Sequence, residues 1–419
     1  MAFTTALSGL NAASNNLAVT GNNIANANTV GFKKSRSEFA DVYATSLGGV
    51  SNTTPGAGVR VANVAQQFNQ GNLSFTDNNL DLAISGEGFF TLAKSPTEVN
   101  DLSYTRAGEF KLDKDGYMVN NQGNALLVYK PNGTAVSDGF SVGVTQPVQI
   151  NTLTGLPAAT DTVELVVNVN ANDTIPTAAF DPTDNNSYNS QTSVTIYDSL
   201  GSPHTLTTYF VKGASTAATT DWTVNHYIDG TDAANAVGSG TMVFDSGGKL
   251  ITPANGTFTL NNYTITPATG AADIAIGDMN YFGSTQVQQK FSVNSMRQNG
   301  LPAGRLTGID IDDEGVIFAR FSNGGSQTVG KVALTRFPNV NGLAKLGDTS
   351  WGQSANSGEP IRGEAGSNNF GGIQSGALES SNVDLAAQLV NLIVAQQHYQ
   401  ANAQTITTEN TIMQAILNI

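Results

Sequence analysis

A chain of 419 residues is long enough for two or three domains, each with its own core. Only 12% of the residues are charged, roughly half the share usual in soluble domains, and the shortfall is filled by Asn, Gln, Ser, Thr, Ala and Gly. A net charge of −14 argues against a nucleic-acid partner, which needs a basic face to displace counterions, and the absence of cysteine excludes disulfides and thiol chemistry.

In chain order, the N-terminal stretch MAFTTALSGLNAASNNLAVT has neither a basic leader nor a continuous apolar run, so it does not read as a cleavable secretory signal. Nowhere do about 18 apolar residues run together as a membrane-spanning helix requires. Phe3, Leu7, Leu10, Ser14, Leu17, Gly21 and Ile24 instead recur at steps of four and three, which predicts a helix about 35 Å long with a seam for a partner. Ala6, Ala13 and Ala18 widen that seam. No Asp, Glu, Lys or Arg occurs from Met1 to Phe32. The first charges, Lys33, Lys34 and Arg36, read as an intersubunit contact or a solvated turn rather than an anion site.

Residues 42–70 and 355–376 are rich in Gly, Asn, Ser and Thr and read as extended connectors that run beside each other. Between them the pattern is β. Short apolar runs such as Leu82-Ala-Ile, Phe89-Phe-Thr-Leu and Leu126-Leu-Val-Tyr are broken by Gly and Asn, and the turns Leu112-Asp-Lys-Asp-Gly-Tyr117 and Ile311-Asp-Asp-Glu-Gly-Val316 share one hairpin pattern. From 148 to 279 β-branched and polar residues alternate, which predicts a second β-barrel or sandwich nested inside the first.

Several apparent motifs for chemistry dissolve on inspection. Gly325-Ser-Gln-Thr-Val-Gly-Lys331 is close to a phosphate-binding loop, but Val332 stands where Ser or Thr must reach the metal, and strand-like runs flank it. Asp310, Asp312 and Glu314 fail as a calcium loop because Phe321 replaces the bidentate Glu, and Asp113 and Asp115 fail with Gln122 at that position. Asp245-Ser-Gly247 is a turn rather than half an aspartic protease site. His204, His226 and His398 lack metal-ligand spacing, and no nucleophile elbow occurs. The expectation is therefore no catalytic residue, no cofactor and no metal.

At the C-terminal end Leu385, Leu389, Leu392, Gln396, Tyr399, Ala403, Ile406, Asn410, Met413 and Leu417 keep a helical step over about 50 Å. Ser380, Ser381 and Asn382 lie just before it and Asp384 falls in its first turn, which signals a capped start. Glu409 is the one formal charge from Leu385 to Ile419. Surface helices ordinarily carry Lys and Glu; a face of Asn, Gln, Thr, Ser and Ala can be buried by neighbours without stranding a charge, at several kcal/mol per ion, or can line a wet bore without gripping a passing chain. Two thin helices with one narrow seam offset little of the ordering entropy, so both ends are expected to be disordered in a free monomer and to fold on assembly.

The stretch TGNNIANANTVGFKKSR, residues 20–36, closely resembles the N-terminal signature of flagellar rod and hook axial proteins. The matching positions are Asn22, Asn23, Ile24, Ala25, Asn26, Thr29, Gly31, Phe32 and Lys33. Gly376-Ala-Leu-Glu-Ser-Ser-Asn-Val-Asp-Leu385, with Gln388-Leu-Val and Tyr399-Gln-Ala-Asn beyond it, resembles the C-terminal signature, and residues 79–110 are similar to the opening strands of the family's β-domain. The likeness covers 1–127 and 284–419. Distal rod members are shorter and lack a large insert; hook members carry one, as this chain does, and a distal rod or other axial member is the runner-up.

The resemblance implies an α+β multidomain fold with paired, coiled-coil-like terminal helices and two nested β-rich barrel or sandwich domains. The expected extents are 1–27 with 378–419 for the helices, 28–71 with 356–377 for the connectors, 72–147 with 284–355 for the inner β-domain and 148–283 for the outer one. By family, subunits assemble through Phe3, Leu7, Leu10, Leu17 and Ile24 and through Leu385, Leu389, Leu392, Tyr399, Ala403, Ile406, Met413 and Leu417. They form a hollow, curved homopolymer that acts as a universal joint. The implied partners are the rod, the hook cap, the hook–filament junction proteins and the flagellar type III export apparatus. The implied location is extracellular, with no cleaved signal. A secreted β-rich binding protein or hydrolase is the competing class.

Overall fold

The computed structural model describes residues 2–42, 56–133, 136–150, 155, 157–367 and 369–417. The chain divides into two compact units. One takes Met1–Ile150, Gly308–Ala319 and Gln327–Ile419; the other takes Asn151–Thr307 and Arg320–Ser326.

In the first unit the predicted terminal helices are present as α1 (Ala2–Ala25) and α2 (Leu385–Leu417), packed together. Asp384 is the N-cap of α2 rather than part of its first turn: its Oδ1 accepts the Ala387 N–H at 3.1 Å. After α1 the chain leaves through turns ending at Gly31, whose φ of +68° suits glycine and whose position leaves no room for a Cβ, which would lie 2.5 Å from the Ala107 backbone nitrogen. A two-stranded antiparallel ribbon follows, β1 (Ser35–Asp41) with β2 (Val59–Gln66), bulged at Glu38/Phe39. It lies against α1, where Ser37 Oγ donates to Asn15 Oδ1 at 3.0 Å and Ser8 Oγ accepts the Val59 N–H at 3.1 Å. Part of the expected connector, residues 43–55, lies outside the described residues.

The β-domain of this unit is organised around the strand Phe89–Ala93, every residue of which is buried. It pairs with Leu102–Thr105, with Ala125–Pro131 and with Ser326–Arg336. Because the strand is covered on both faces, it is apolar on both rather than alternating, and its one polar side chain, Thr91, is bonded to Thr335 Oγ1 at 2.7 Å. Beside it Phe89, Tyr104, Phe337 and Trp351 cluster with Leu343, their rings in edge-to-face geometry, as in the 4.7 Å pair of Tyr104 and Phe337.

The second unit is a sandwich. One sheet is an antiparallel meander of Ser190–Tyr197, Pro203–Ser215, Thr219–Ile228, Ala236–Asp245 and Leu250–Thr252. The other is built on Thr162–Asn170, which pairs in parallel with Asp278–Asn280 and Thr285–Val287 and antiparallel with Ser292–Gln298. Alternate residues of the meander turn inward, so Phe210, Trp222 and Val224 meet Leu165, Val167 and Met279 in one core.

Residues 284–307 belong to this second unit, not to the inner domain as the sequence reading has it. The reason is pairing: Ser292–Gln298 runs alongside Thr162–Asn170 through most of its length. A short run bounded by Gly and Asn gives no sign of which distant strand it will join.

The apparent chemical motifs resolve into backbone geometry. Lys331 lies within the strand Ser326–Arg336, far from any strand-to-helix turn. Asp113, Asp245 and Asp312 each accept the backbone N–H four residues on, at 2.7–2.9 Å. Asp198 and Asn120 do the same at 2.8 and 2.9 Å, so five turns share one Asx-x-x-Gly design. No cluster of three or more metal-ligating side chains occurs among the described residues.

Candidate assembly site

The sequence residues that stand out lie in the first unit, in two arrangements. The first is a buried hub where the two ends of the chain meet. Lys33 and Glu379, respectively 1% and 0% exposed, pair at 2.5 Å, and Arg106 reaches the other carboxylate oxygen at 3.2 Å. Lys33 Nζ also donates to the Asn69 carbonyl at 2.9 Å, and Glu379 Oε1 accepts the Gly71 N–H at 2.7 Å. Arg106 donates to the Gly86 carbonyl at 2.8 Å and stacks over the Phe89 ring at 5.4 Å. Burial pulls the Lys33 and Arg106 pKa values down, and the Glu379 carboxylate opposes that pull in both.

Lys33 is therefore neither a solvated turn nor a surface contact, as its place in a short basic run suggests. Burial of its ammonium is tolerated only because a carboxylate about 350 positions away in sequence faces it, and no local pattern announces such a partner. Arg36 does stay at the surface, paired with Glu38 at 2.8 Å.

Around this ion cluster the Asn residues of the N-terminal stretch act as backbone clamps. Asn23 is buried; its Oδ1 accepts the Ser35 N–H at 2.9 Å, and its Nδ2 donates to the Ser35 carbonyl at 2.8 Å and to Gln388 Oε1 on α2 at 3.1 Å. Asn26 donates to the Asn22 carbonyl at 2.9 Å and accepts from Thr29 at 3.2 Å. Asn382 bonds the Lys34 N–H at 2.8 Å and the Gln67 and Asn69 carbonyls at 2.7 and 3.0 Å. Gly31 donates its N–H to the Glu379 carbonyl at 2.8 Å, while Ile24 and Phe32 are half-buried and Ala25 is exposed. Glu379, Arg106 and Asn382 carry as much of the hub as Lys33 does, and the sequence reading assigned none of the three to it.

The second arrangement is the outer surface of the helices. α1 and α2 meet through small and polar side chains: Ala6, Ala12, Ala13, Thr20 and Asn23 on one, Gln388 and Ala395 on the other. They approach so closely at Gly9 that a Cβ there would lie 2.6 Å from Asn402 Oδ1. The large apolar side chains are not buried by this seam. Phe3, Leu7, Leu385, Leu389, Tyr399, Met413 and Leu417 are exposed, while Leu10, Leu17, Leu392, Ala403 and Ile406 are half-buried. Val390, Ile393, Val394, Ile412 and Ile416 add to the exposed set. A heptad count misses these five because α2 is apolar over more of its circumference than one stripe. Such a surface marks an interaction face, since each such side chain contributes about 1.5–3 kcal/mol when fully covered.

Paired terminal helices, a hub locking the two ends together and nested β-domains are the plan of a flagellar axial protein. Sequence models agree: the flagella basal body rod protein family matches residues 3–33, the flagellar hook protein FlgE/F/G D1 domain 83–172, the FlaE D2 domain 168–301 and the FlgEFG C-terminal region 374–419. Relatives match throughout, insert included. The chain is 38% identical to flagellar hook protein FlgE of Salmonella typhimurium, with 100% of both chains covered. It is 31% identical to the FlgE of Borreliella burgdorferi, over 99% of this chain and 98% of that one. The crystal structure of Helicobacter pylori flagellar hook protein FlgE2 shares the fold, with a TM-score of 0.50 at 17% identity over 73% of this chain and 100% of its own. The chain belongs to the flagellar hook protein FlgE family.

Proposed function

We propose that this chain is the structural subunit of a bacterial flagellar hook, polymerising through its terminal helices into a hollow, curved tube that serves as a universal joint between rod and filament. The observation that carries the reading is the outward-facing, nearly uncharged apolar surface of α1 and α2. Sister helices can cover that surface without burying a single unpaired ion other than Glu409. Residues that pack on the outside of the pair, Phe3, Leu7, Leu389, Tyr399, Met413 and Leu417 among them, are the assembly contacts. The hub then holds each helix pair to its own β-domain. In this role the protein performs no catalysis, is exported by the flagellar type III apparatus without a cleaved signal, and meets the rod, the hook cap and the junction proteins at the ends of the polymer. No described helix is long and apolar enough to cross a membrane.

Salting-out conditions strengthen apolar burial, so purified chain in rising ammonium sulfate is expected to form hollow tubes visible by electron microscopy. A preparation that stays monomeric under those conditions, with both ends resistant to protease, would overturn the reading.

A further inference from the structure

We infer that a cleft in the first unit, lined by Phe68, Phe89, Phe337, Arg106 and Arg336, is a socket for a second copy of this chain, and that the segment carrying Phe75 and Asp77 enters it. The inference rests on the polymer reading and adds the contact by which β-domains engage. The cleft has a volume of about 410 Å³, within the range of clefts that hold a small ligand. Three aromatic rings give it an apolar wall, with Phe68 against Phe89 at 5.8 Å and Phe89 against Phe337 at 6.3 Å. Its charge is out of balance. Behind it the hub holds two cations, Lys33 and Arg106, against the single anion Glu379, and Arg106 Nε is buried with no hydrogen-bond partner among the described residues. At the rim Arg336 faces Glu87 at 3.4 Å, which leaves one positive charge in excess. In a chain of net charge −14 this is an unusual place, and its complement is an aromatic group beside a carboxylate.

The chain presents such a pair. Phe75 is 75% exposed, more than any other aromatic side chain among the described residues. It stands on a short strand, Leu73–Phe75, whose backbone is fixed by pairing with Ala377–Glu379. Just beyond it Thr76 Oγ1 donates to Asp81 at 2.8 Å, so the segment is held in shape before any partner arrives. Asp77 is exposed and has no ion pair among the described residues. Projection and socket are made of different residues, so one chain can offer its projection to a second copy and its socket to a third, the head-to-tail mode that adds subunits.

Full-length protein with Phe75→Ala, Asp77→Lys, Arg336→Glu, or the last two combined tests this. Phe75 and Asp77 are exposed and Arg336 is part-exposed, and equal melting curves establish that the variants fold. Each single change is expected to raise the critical concentration for tube growth at least about tenfold, as the loss of a central interface residue does, and the charge-swapped pair to return within about threefold of the parent. A photo-crosslinker at position 75 is expected to capture Phe68, Phe337 or Val340 of the neighbouring copy in the polymer. Tubes that grow from Phe75→Ala at the parent's critical concentration, a charge swap without rescue, or crosslinks to other segments would each reject the socket while leaving the hook reading intact. Failure of the unaltered chain to form tubes would remove both.

Discussion

Glu379 faces two cations in a place water scarcely reaches, and much of the first unit's integrity depends on that single carboxylate. The Coulombic gain of a buried pair roughly offsets the cost of removing its charges from water, but taking away one partner leaves the other stranded. Glu379→Gln is therefore expected to lower the stability of the first unit by about 3–5 kcal/mol, measured by urea unfolding. A loss below about 1 kcal/mol would mean that solvent reaches the cluster. The Asx-x-x-Gly turns lie at the opposite extreme of legibility. Asp113 and Asp312 are recognisable from sequence because both partners of their hydrogen bonds are within five residues. Lys33 and Arg106 are unreadable because the group that decides their state is at least 273 positions away.

Element by element, the helices were plain in sequence and their faces were not. The absence of charge and the four-three step located α1 and α2 to within a few residues of Ala2–Ala25 and Leu385–Leu417. The same step suggests that large apolar residues join the helices to each other, whereas small ones do. Gly9, Ala12 and Ala13 permit an approach that Leu389 or Ile393 would block, so bulk is displaced to the outside. The outcome is a helix pair with little side-chain burial of its own. In dilute solution both helices are expected to be cut first by protease and to become protected in tubes. Leu389→Lys with Ile393→Lys should abolish that protection and polymerisation together, with the melting of the β-domains unchanged. Tubes formed by this double variant would show that the outward face is not the assembly contact.

For the molecule as a whole, two separately cored units imply two unfolding transitions with different sensitivities. The second unit encloses His226, whose Nδ1 lies 3.2 Å from Thr208 Oγ1 and whose Nε2 has no hydrogen-bond partner among the described residues. Burial pushes its pKa down to about 3 from 6.5. Between those values the unfolded chain holds one proton more than the folded one, so stability falls as pH drops from about 6.5 toward about 3, by about 2 kcal/mol at pH 5. Calorimetry across pH 4 to 7, at roughly that spacing around the imidazole range, should show a transition that moves down with acid in the parent and is flattened in His226→Met.

The inserted unit also has a narrow stem. Gly155 donates its N–H to the Gly304 carbonyl at 2.7 Å, and Ala158 and Leu301 exchange hydrogen bonds at 3.0 and 2.8 Å, so its incoming and outgoing strands begin as neighbours. Where entrance and exit lie side by side, the stretch between them, residues 159–300, can be lengthened or exchanged with hardly any displacement of its flanks, whereas Arg320–Ser326 joins the unit by a separate crossing.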